Sequence, residues 1–364
     1  MSLEKIKNRL GFGCMRLQMN GDEVDYDEFC RMIDRFMEAG FNYFDTAHGY
    51  IDKKSEPAIR ECLVKRYDRE AFVLADKLSD WFFEKEEDIV PMFEKQLEIC
   101  GVEYFDVYFV HCVTRKSYPK HQACHTFDVI QGLKEQGRIK HIAMSFHDSA
   151  EVLDKILSEQ PCIEIVQLQI NYLDYDDPTV QSKACYDVAF KHGKKVIVME
   201  PVKGGNLVKL PPKAAKELDA LGGGSYASYA LRFAADHPEV MMVLSGMGNV
   251  AMVEDNLRTF SPFVPLSDKE RETLGRVRDL IRESKKIPCT ACNYCADVCP
   301  KAVPISTLFS VYNDLVTAEI SRGEAKRRFP QDVTAADCIK CGECEAVCPQ
   351  GIAIRERLEG IAKL

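Results

Sequence analysis

The chain has 364 residues, 57 acidic and 48 basic, for a formal net charge of −9 at pH 7. Hydrophobic residues make up 46% and charged residues 29%, the composition of a globular protein with a sizeable core. No long run of Lys or Arg and no stretch of 18 apolar residues occurs, which argues against a nucleic-acid partner, an anionic membrane surface and a transmembrane span.

The opening MSLEKIKNRL is polar and lacks the apolar stretch of a signal peptide, so a cytoplasmic location is expected. Over the first 260 residues, short β-rich apolar runs alternate with helical patterns. The runs are RLGFGCM (9–15), NYFDTA (42–47), FVLADK (72–77), FDVYFVH (105–111), IKHIAMSF (139–146), IVQLQIN (165–171), KVIVMEPV (195–202) and VMMVLSG (240–246). Between them lie stretches such as DEFCRMIDRFMEAG (27–40) and DIVPMFEKQLEICG (88–101), with apolar residues three and four apart and a glycine stop. Eight strands with seven intervening helices, and another helix over 249–259, predict the α/β class and a (β/α)8 barrel spanning 1–260. A doubly wound sheet is the rival. It would open with G-x-G-x-x-G between a strand and a helix, but Arg16 stands where the third glycine belongs.

Residues 261–287 predict a proline-bearing linker and one amphipathic helix. Beyond them, over 288–364, come two cysteine runs: Cys289, Cys292, Cys295 and Cys299 before Pro300, and Cys338, Cys341, Cys344 and Cys348 before Pro349. Disulfides are disfavoured in the cytosol, so grouped cysteines there point to metal. A zinc ribbon wants two C-x2-C pairs set well apart. Both runs instead read C-x2-C-x2-C-x3-C-P, the spacing of bacterial [4Fe–4S] proteins, and so predict two such clusters. The other eight cysteines (Cys14, Cys30, Cys62, Cys100, Cys112, Cys124, Cys162 and Cys185) are scattered and read as small buried hydrophobes.

This segment resembles the two-cluster ferredoxins. The resemblance implies that the fourth cysteine of each run serves the other cluster, giving Cys289, Cys292, Cys295 and Cys348 as one set and Cys338, Cys341, Cys344 and Cys299 as the other. The residues between the runs include ISTLFSVYNDLVTAEI, which is helical in pattern. The segment is therefore closer to the helical ferredoxin modules fused to larger redox enzymes.

In a (β/α)8 barrel the chemistry sits at the C-terminal ends of the strands. Those ends offer Asp45 with Tyr50 just beyond, Lys77 and His111. GFNYFDTAHGY, LADKL and FDVYFVH together resemble the aldo-keto reductase family over roughly residues 8–260. The resemblance implies a catalytic tetrad of Asp45, Tyr50, Lys77 and His111. In it Tyr50 gives a proton to a carbonyl oxygen, Lys77 lowers the phenol's pKa, Asp45 holds Lys77, and His111 orients the oxygen.

The resemblance also implies NADP or NAD bound without a Rossmann fold. Its contacts are Gly13, Cys14 and Met15 after the first strand, Asp45, Ser145 after the fifth, Gln167 on the sixth, Met199 and Pro201 at the seventh, and Asp255 and Asn256 on the last barrel helix. The loops KGGN (203–206) and GMGN (246–249) offer exposed amides for a pyrophosphate, through Gly204, Gly246 and Asn249. The chain departs from the family pattern in several places. Phe146 replaces an Asn after Ser145, Met199 stands where an aromatic often stacks, and Ile51 replaces a glycine after Tyr50. Arg258 is the one full cation for a 2′-phosphate.

Three functions follow for a chain carrying both parts, acting on a small carbonyl or alcohol. It is a carbonyl reductase whose clusters exchange electrons with a redox protein partner, the same reductase with structural or sensing clusters, or an electron-transfer or regulatory protein whose barrel binds nucleotide with little turnover. A nicotinamide delivers two electrons as a hydride and a [4Fe–4S] cluster takes one, so direct exchange is awkward and a flavin is the usual intermediary. No flavin signature is present in the sequence. A flavin in the barrel or on a partner is the remaining cofactor candidate.

Overall fold

The computed structural model describes residues 3–364; the first two residues of the expected 1–260 span lie outside it. The chain divides into two compact units, one of Met1–Ile170, Gln181–Pro201 and Ala234–Pro265, the other of Asn171–Val180, Val202–Phe233 and Leu266–Leu364.

The first unit holds a closed parallel barrel of eight strands: β1 (Leu10–Gly13), β2 (Tyr43–Asp45), β3 (Val73–Ser79), β4 (Phe105–Val113), β5 (Ile139–Phe146), β6 (Ile165–Gln169), β7 (Lys195–Met199) and β8 (Val240–Ser245), each paired with its sequence neighbours and β1 closing on β8. The first run is shorter than expected because Cys14–Arg16 wind into a 3-10 turn. A small antiparallel hairpin, Met19–Asn20 with Glu23–Val24, follows it and was not anticipated.

Tyr43, Val73, Ala75, Val107, Phe109, Ala143, Ile165, Ile197, Met242 and Leu244 fill the barrel interior, each large side chain contributing about 1.5–3 kcal/mol on burial. The packing leaves no room at Gly11, where a Cβ would lie 2.7 Å from Leu244 Cδ2. The helix Tyr26–Glu38 buries Phe29, Met32, Ile33 and Phe36, the i, i+3, i+4, i+7 stripe that its sequence predicts, and Asp25 caps it through the Glu28 amide. Ile89–Cys100 ends at Gly101, whose φ of 73° closes the helix in the left-handed region.

In the second unit, the helix Asp268–Glu283 starts with a Ser267–Glu270 capping box. It buries Leu274, Val277 and Ile281 with Tyr172, Leu207, Leu210, Ala214 and Leu218. It is thus part of a core as well as a connection. The cysteine-bearing segment is largely helical, with Ile305–Val316, Arg322–Arg328 and Ile354–Ile361 as its longest elements. Ile287, Val303, Leu308, Phe309, Ile352 and Leu358 form its core, against which several of the cysteines pack.

Candidate active site and cysteine-lined sites

Strand alternation decides which groups enter the barrel. Tyr43, Ala75, Phe109, Ala143, Ile165 and Ile197 face inward. Two residues further on, the same face carries Asp45, Lys77, His111, Ser145, Gln167 and Met199. Cross-strand register sets Gly13 beside Asp45, Ser79 beside His111, and Ser145 beside Gln167.

Lys77 is fully buried and Asp45 nearly so. The Lys77 ammonium donates to Asp45 Oδ1 at 2.5 Å and to the Thr46 carbonyl at 2.6 Å, and lies 4.8 Å from the centre of the Tyr50 ring. Burial alone would lower the Lys77 pKa, but Asp45 and then Tyr50 raise it, so the amine stays charged. The Tyr50 phenol departs from expectation. Burial pushes its pKa above the ordinary tyrosine value, and the opposing pull of Lys77 does not bring it below. The ammonium is visible in the sequence and the desolvation, which is the larger effect, is not.

His111 is held neutral, first by burial and then by the Lys77 charge. Its Nδ1 lies 2.6 Å from Ser79 Oγ. With Ser79 donating, the ring hydrogen sits on Nε2. The His111 ring is 6.1 Å from that of Tyr50 and 5.5 Å from that of Trp81. After Tyr50 the chain passes through Ile51, Asp52 and Lys53 at φ of 51°, 51° and 66°, so Ile51 occupies the left-handed conformation for which a glycine is the easier residue.

The expected cofactor contacts fall in varied settings. Gly13 is half-buried beside the Ser245 carbonyl, Cys14 is buried, and Met15 is half-buried. Burial, followed by Asp45, raises the Cys14 thiol. Ser145 Oγ accepts from the Cys112 amide at 2.7 Å, where Cys112 has a φ of 54° at a break in register. Gln167 and Pro201 are buried and Met199 is half-buried. Gly246 is exposed, and the Asn249 side chain caps the helix Val250–Phe260 by accepting from the Met252 amide. Asp255 pairs with Arg258 at 3.2 Å, and Asn256 donates to Ser245 Oγ at 2.6 Å.

Gly204 lies in a tightly packed place. Its φ is 60°, and a Cβ there would lie 2.5 Å from the Thr290 carbonyl oxygen and 2.6 Å from Thr290 Cα. The residue meets protein backbone on the side where a side chain would stand. Lys203, beside it, is buried on Asp174.

Groups that the sequence did not single out lie around the tetrad. Ser79 is one. Arg16 is another: it reaches Glu200 at 3.5 Å and runs close to Gly246. Behind Lys77, fully buried Glu56 bonds His48 Nδ1 at 2.7 Å and Gln96 at 3.2 Å, while Gln96 also donates to the Lys77 carbonyl at 3.0 Å. Burial raises Glu56 to about 7. Asp76 lies beside it and is raised well above the carboxylate range by burial and then by Glu56. The only sequence signal for these groups was the alternation that turns Asp76 away from Lys77.

The cysteines assemble in two sets. Cys289, Cys292, Cys295 and Cys348 line one apolar pocket, with Ile305, Phe309 and Ile352. Cys299, Cys338, Cys341 and Cys344 line a second, with Val303, Ile305 and Leu358. These are the crossed sets that the ferredoxin resemblance implied. Burial and then Cys292, Cys289 and Cys348 push the Cys295 thiol up to about 12. Burial, Glu345 and Cys338 raise Cys344.

The two runs repeat one backbone. Ala291, Asn293 and Ala302 have positive φ in the first, and Lys340, Gly342 and Gly351 do so at the matching positions of the second. A short helix follows in each, Tyr294–Asp297 and Glu343–Ala346. Amides of Ala291 and Val303 point at Cys289 and Cys299 sulfur at 3.4 Å. Four soft donors, an apolar lining and amides aimed at sulfur fit a [4Fe–4S] cluster in each pocket.

Residues 9–279 match the Aldo/keto reductase family, and residues 288–353 match the 4Fe-4S dicluster domain. The first match runs past 260, through most of the helix Asp268–Glu283. Among curated proteins, the chain is 25% identical over 276 residues to an uncharacterised oxidoreductase of Schizosaccharomyces pombe, covering 70% of this chain and 82% of that one. It is 24% identical over 201 residues to the 9,11-endoperoxide prostaglandin H2 reductase of Trypanosoma cruzi, spanning 54% of this chain and 62% of the relative, less than two thirds of its length. Among solved structures, aldo-keto reductase AKR11C1 from Bacillus halodurans in its holo form aligns with TM-score 0.61 at 24% identity, covering 74% of this chain and 91% of that one. An aldo-keto reductase from Klebsiella pneumoniae in complex with NADPH aligns with TM-score 0.60 at 17% identity, covering 74% and 90%. No helix among the described residues is long and apolar enough to cross a membrane.

Proposed function

The chain belongs to the aldo/keto reductase family and carries a 4Fe-4S dicluster domain, and from that premise we propose that this oxidoreductase is an NAD(P)H-dependent reductase of a small aldehyde or ketone, running in reverse as an alcohol dehydrogenase. The observation that carries the proposal is the buried Lys77–Asp45 pair beneath the Tyr50 ring, with neutral His111 beside it. The residues fit a nicotinamide dinucleotide. Asp45 Oδ2 is buried and has no protein partner, so it can accept from a ribose hydroxyl, while Ser145 and Gln167 stand side by side on the same inward face. Arg258 is exposed on the last barrel helix, where a cation would favour a 2′-phosphate and hence NADPH. The NADPH in the Klebsiella pneumoniae structure supports the same choice. When bound, the nicotinamide supplies the hydride.

The chain's own groups handle the oxygen. His111, with its hydrogen on Nε2, donates to the carbonyl oxygen and orients it. As negative charge develops there, Tyr50 gives up its phenolic proton. The Lys77 charge, fixed by Asp45 and the Thr46 carbonyl, stabilises the phenolate left behind. Burial keeps the phenol protonated at rest, so the proton is present when the carbonyl arrives and is given up to an oxygen that has become strongly basic.

In the second unit, the eight cysteines would hold two [4Fe–4S] clusters that pass single electrons to or from a redox protein, outside the carbonyl step. Exposed Cys341 supports access from solvent. Anaerobically purified protein should be brown and hold about eight irons and eight labile sulfides per chain; stoichiometric zinc without sulfide would overturn this part. For the barrel, steady-state reduction of a simple aldehyde by NADPH and by NADH is the direct test. No turnover with either, in protein that binds the nucleotide, would leave the barrel a nucleotide-binding element only.

A further inference from the structure

Lys203 is 2% exposed and Asp174 4% exposed. The ammonium donates to both Asp174 oxygens, at 2.7 and 2.6 Å, and to Gln350 Oε1 at 2.8 Å. Asn171 Nδ2 holds Asp174 from the other side at 2.9 Å. Gln350 follows Cys348 by two residues and lines the same pocket as Cys289, Cys292, Cys295 and Cys348. Asn206 Nδ2 donates to the Cys289 carbonyl at 2.7 Å, and Gly204 lies against Thr290 so closely that no side chain fits. These residues come from the two segments that follow β6 and β7 in the chain. They hold the backbone at Cys289 and beside Cys348, two of the four cysteines in the first set. Each pocket is lined by the cysteine-bearing segment itself, from 289 to 354 for the first and from 299 to 358 for the second, and the bonds from Lys203 and Asn206 reach the lining residues Gln350 and Cys289 of the first.

We infer that Lys203 is a positioning residue for the first cluster, and that the segments following β6 and β7 brace that site and not the second. The inference rests on the proposal that both pockets hold clusters. A buried ion pair costs desolvation that surface residues avoid. Here the pair ties Gln350, and through it the Cys348 turn, to a fixed point. It also sets the local field. Reducing a cluster adds negative charge, so the Lys203 cation favours the reduced form and the Asp174 carboxylate opposes it.

The test uses the full chain, purified without oxygen and titrated with dithionite under EPR. Cys341→Ser identifies the second cluster's signal by perturbing it. Lys203→Met should lower the first cluster's potential and Asp174→Asn should raise it, with the second cluster's potential unchanged. Lys203→Arg should return the first toward the parent value. Asn206→Ala should change the first cluster's spectrum alone. Loss of about half the iron from Lys203→Met, with the second signal intact, would support the same inference. Full iron with unchanged potentials and spectra in all the Lys203, Asp174 and Asn206 variants would overturn it, as would equal shifts of both clusters. A parent chain without iron and sulfide would instead remove the cluster proposal beneath it.

Discussion

In the barrel, Lys77 meets Asp45 and the Thr46 carbonyl through bonds supplied wholly by the protein. In the cysteine-bearing segment, Cys289, Cys292, Cys295 and Cys348 converge as four like groups, and their burial and mutual repulsion push the Cys295 thiol up to about 12. The first site balances its charges internally and can hold its geometry alone. The second is at rest a set of protonated, uncharged thiols, so a metal group can be held there only as protons leave, which would couple its loading to proton release. On the proposed function this difference divides the work: the barrel would place one proton at one oxygen, and the cysteine sets would hold a redox group.

The largest effect should come from Tyr50→Phe, which keeps the ring and removes the donor. Turnover for aldehyde reduction should fall by about 10²–10⁴-fold while nucleotide affinity stays near the parent value, as read by steady-state kinetics and fluorescence titration. Equal turnover would remove Tyr50 from the chemistry and with it the contrast between the two sites. Cys292→Ala combined with Cys341→Ala takes one donor from each crossed set. Iron should drop from about eight to well below half, with loss of the brown absorbance, while circular dichroism retains the barrel's signal. Retention of all the iron would mean that the crossed sets are not the ligands.

A pH series sharpens the comparison from the barrel side. The folded-state pKa of Glu56 is raised from 4.5 to about 7 by burial. Its contribution to stability is therefore fully present below about 4.5 and is lost as pH rises through about 7. Glu56→Gln should accordingly be more stable relative to the parent at pH 8 than at pH 5, by a few degrees in Tm. A constant difference across that range would mean that Glu56 does not titrate there. The smallest effect is expected at Ile51, whose φ is 51°. Ile51→Gly should leave Tm within a few degrees of the parent, because relief of left-handed strain offsets the entropy that glycine loses on folding. A large drop would show that the Ile51 side chain packs in a way that outweighs its backbone.

Much of this was legible in the sequence, for physical reasons that differ between sites. Three cysteines of each set follow one another at intervals of three residues, so the two runs stand out by spacing alone, while the fourth member, Cys348 or Cys299, comes from the other run and is brought in by the fold. Asp45, Lys77 and His111 are far apart in the chain, but the two-residue alternation of strands and the ends of the apolar runs place them on one face. The packing of Gly204 was hidden because a glycine-rich turn signals that something approaches the backbone without saying what, and Thr290 is 86 positions later in the numbering. The direction of the Tyr50 shift was hidden because desolvation depends on everything packed around the ring. Ser79, Arg16 and the Glu56–Asp76 pair were illegible for a related reason. Each is an ordinary polar residue whose meaning comes from a partner that the fold supplies.

On the proposed function, hydride passes directly to the carbonyl carbon in the barrel, with Tyr50 supplying the proton and the clusters standing outside the step. Anaerobic reduction of a small aldehyde with NADPH carrying deuterium at both C4 positions tests it most directly, with mass spectrometry of the alcohol. One deuterium is expected on the carbinol carbon at each turnover. An alcohol carrying hydrogen from solvent at that carbon would mean that the electrons travel through an exchanging carrier and that direct hydride transfer does not occur.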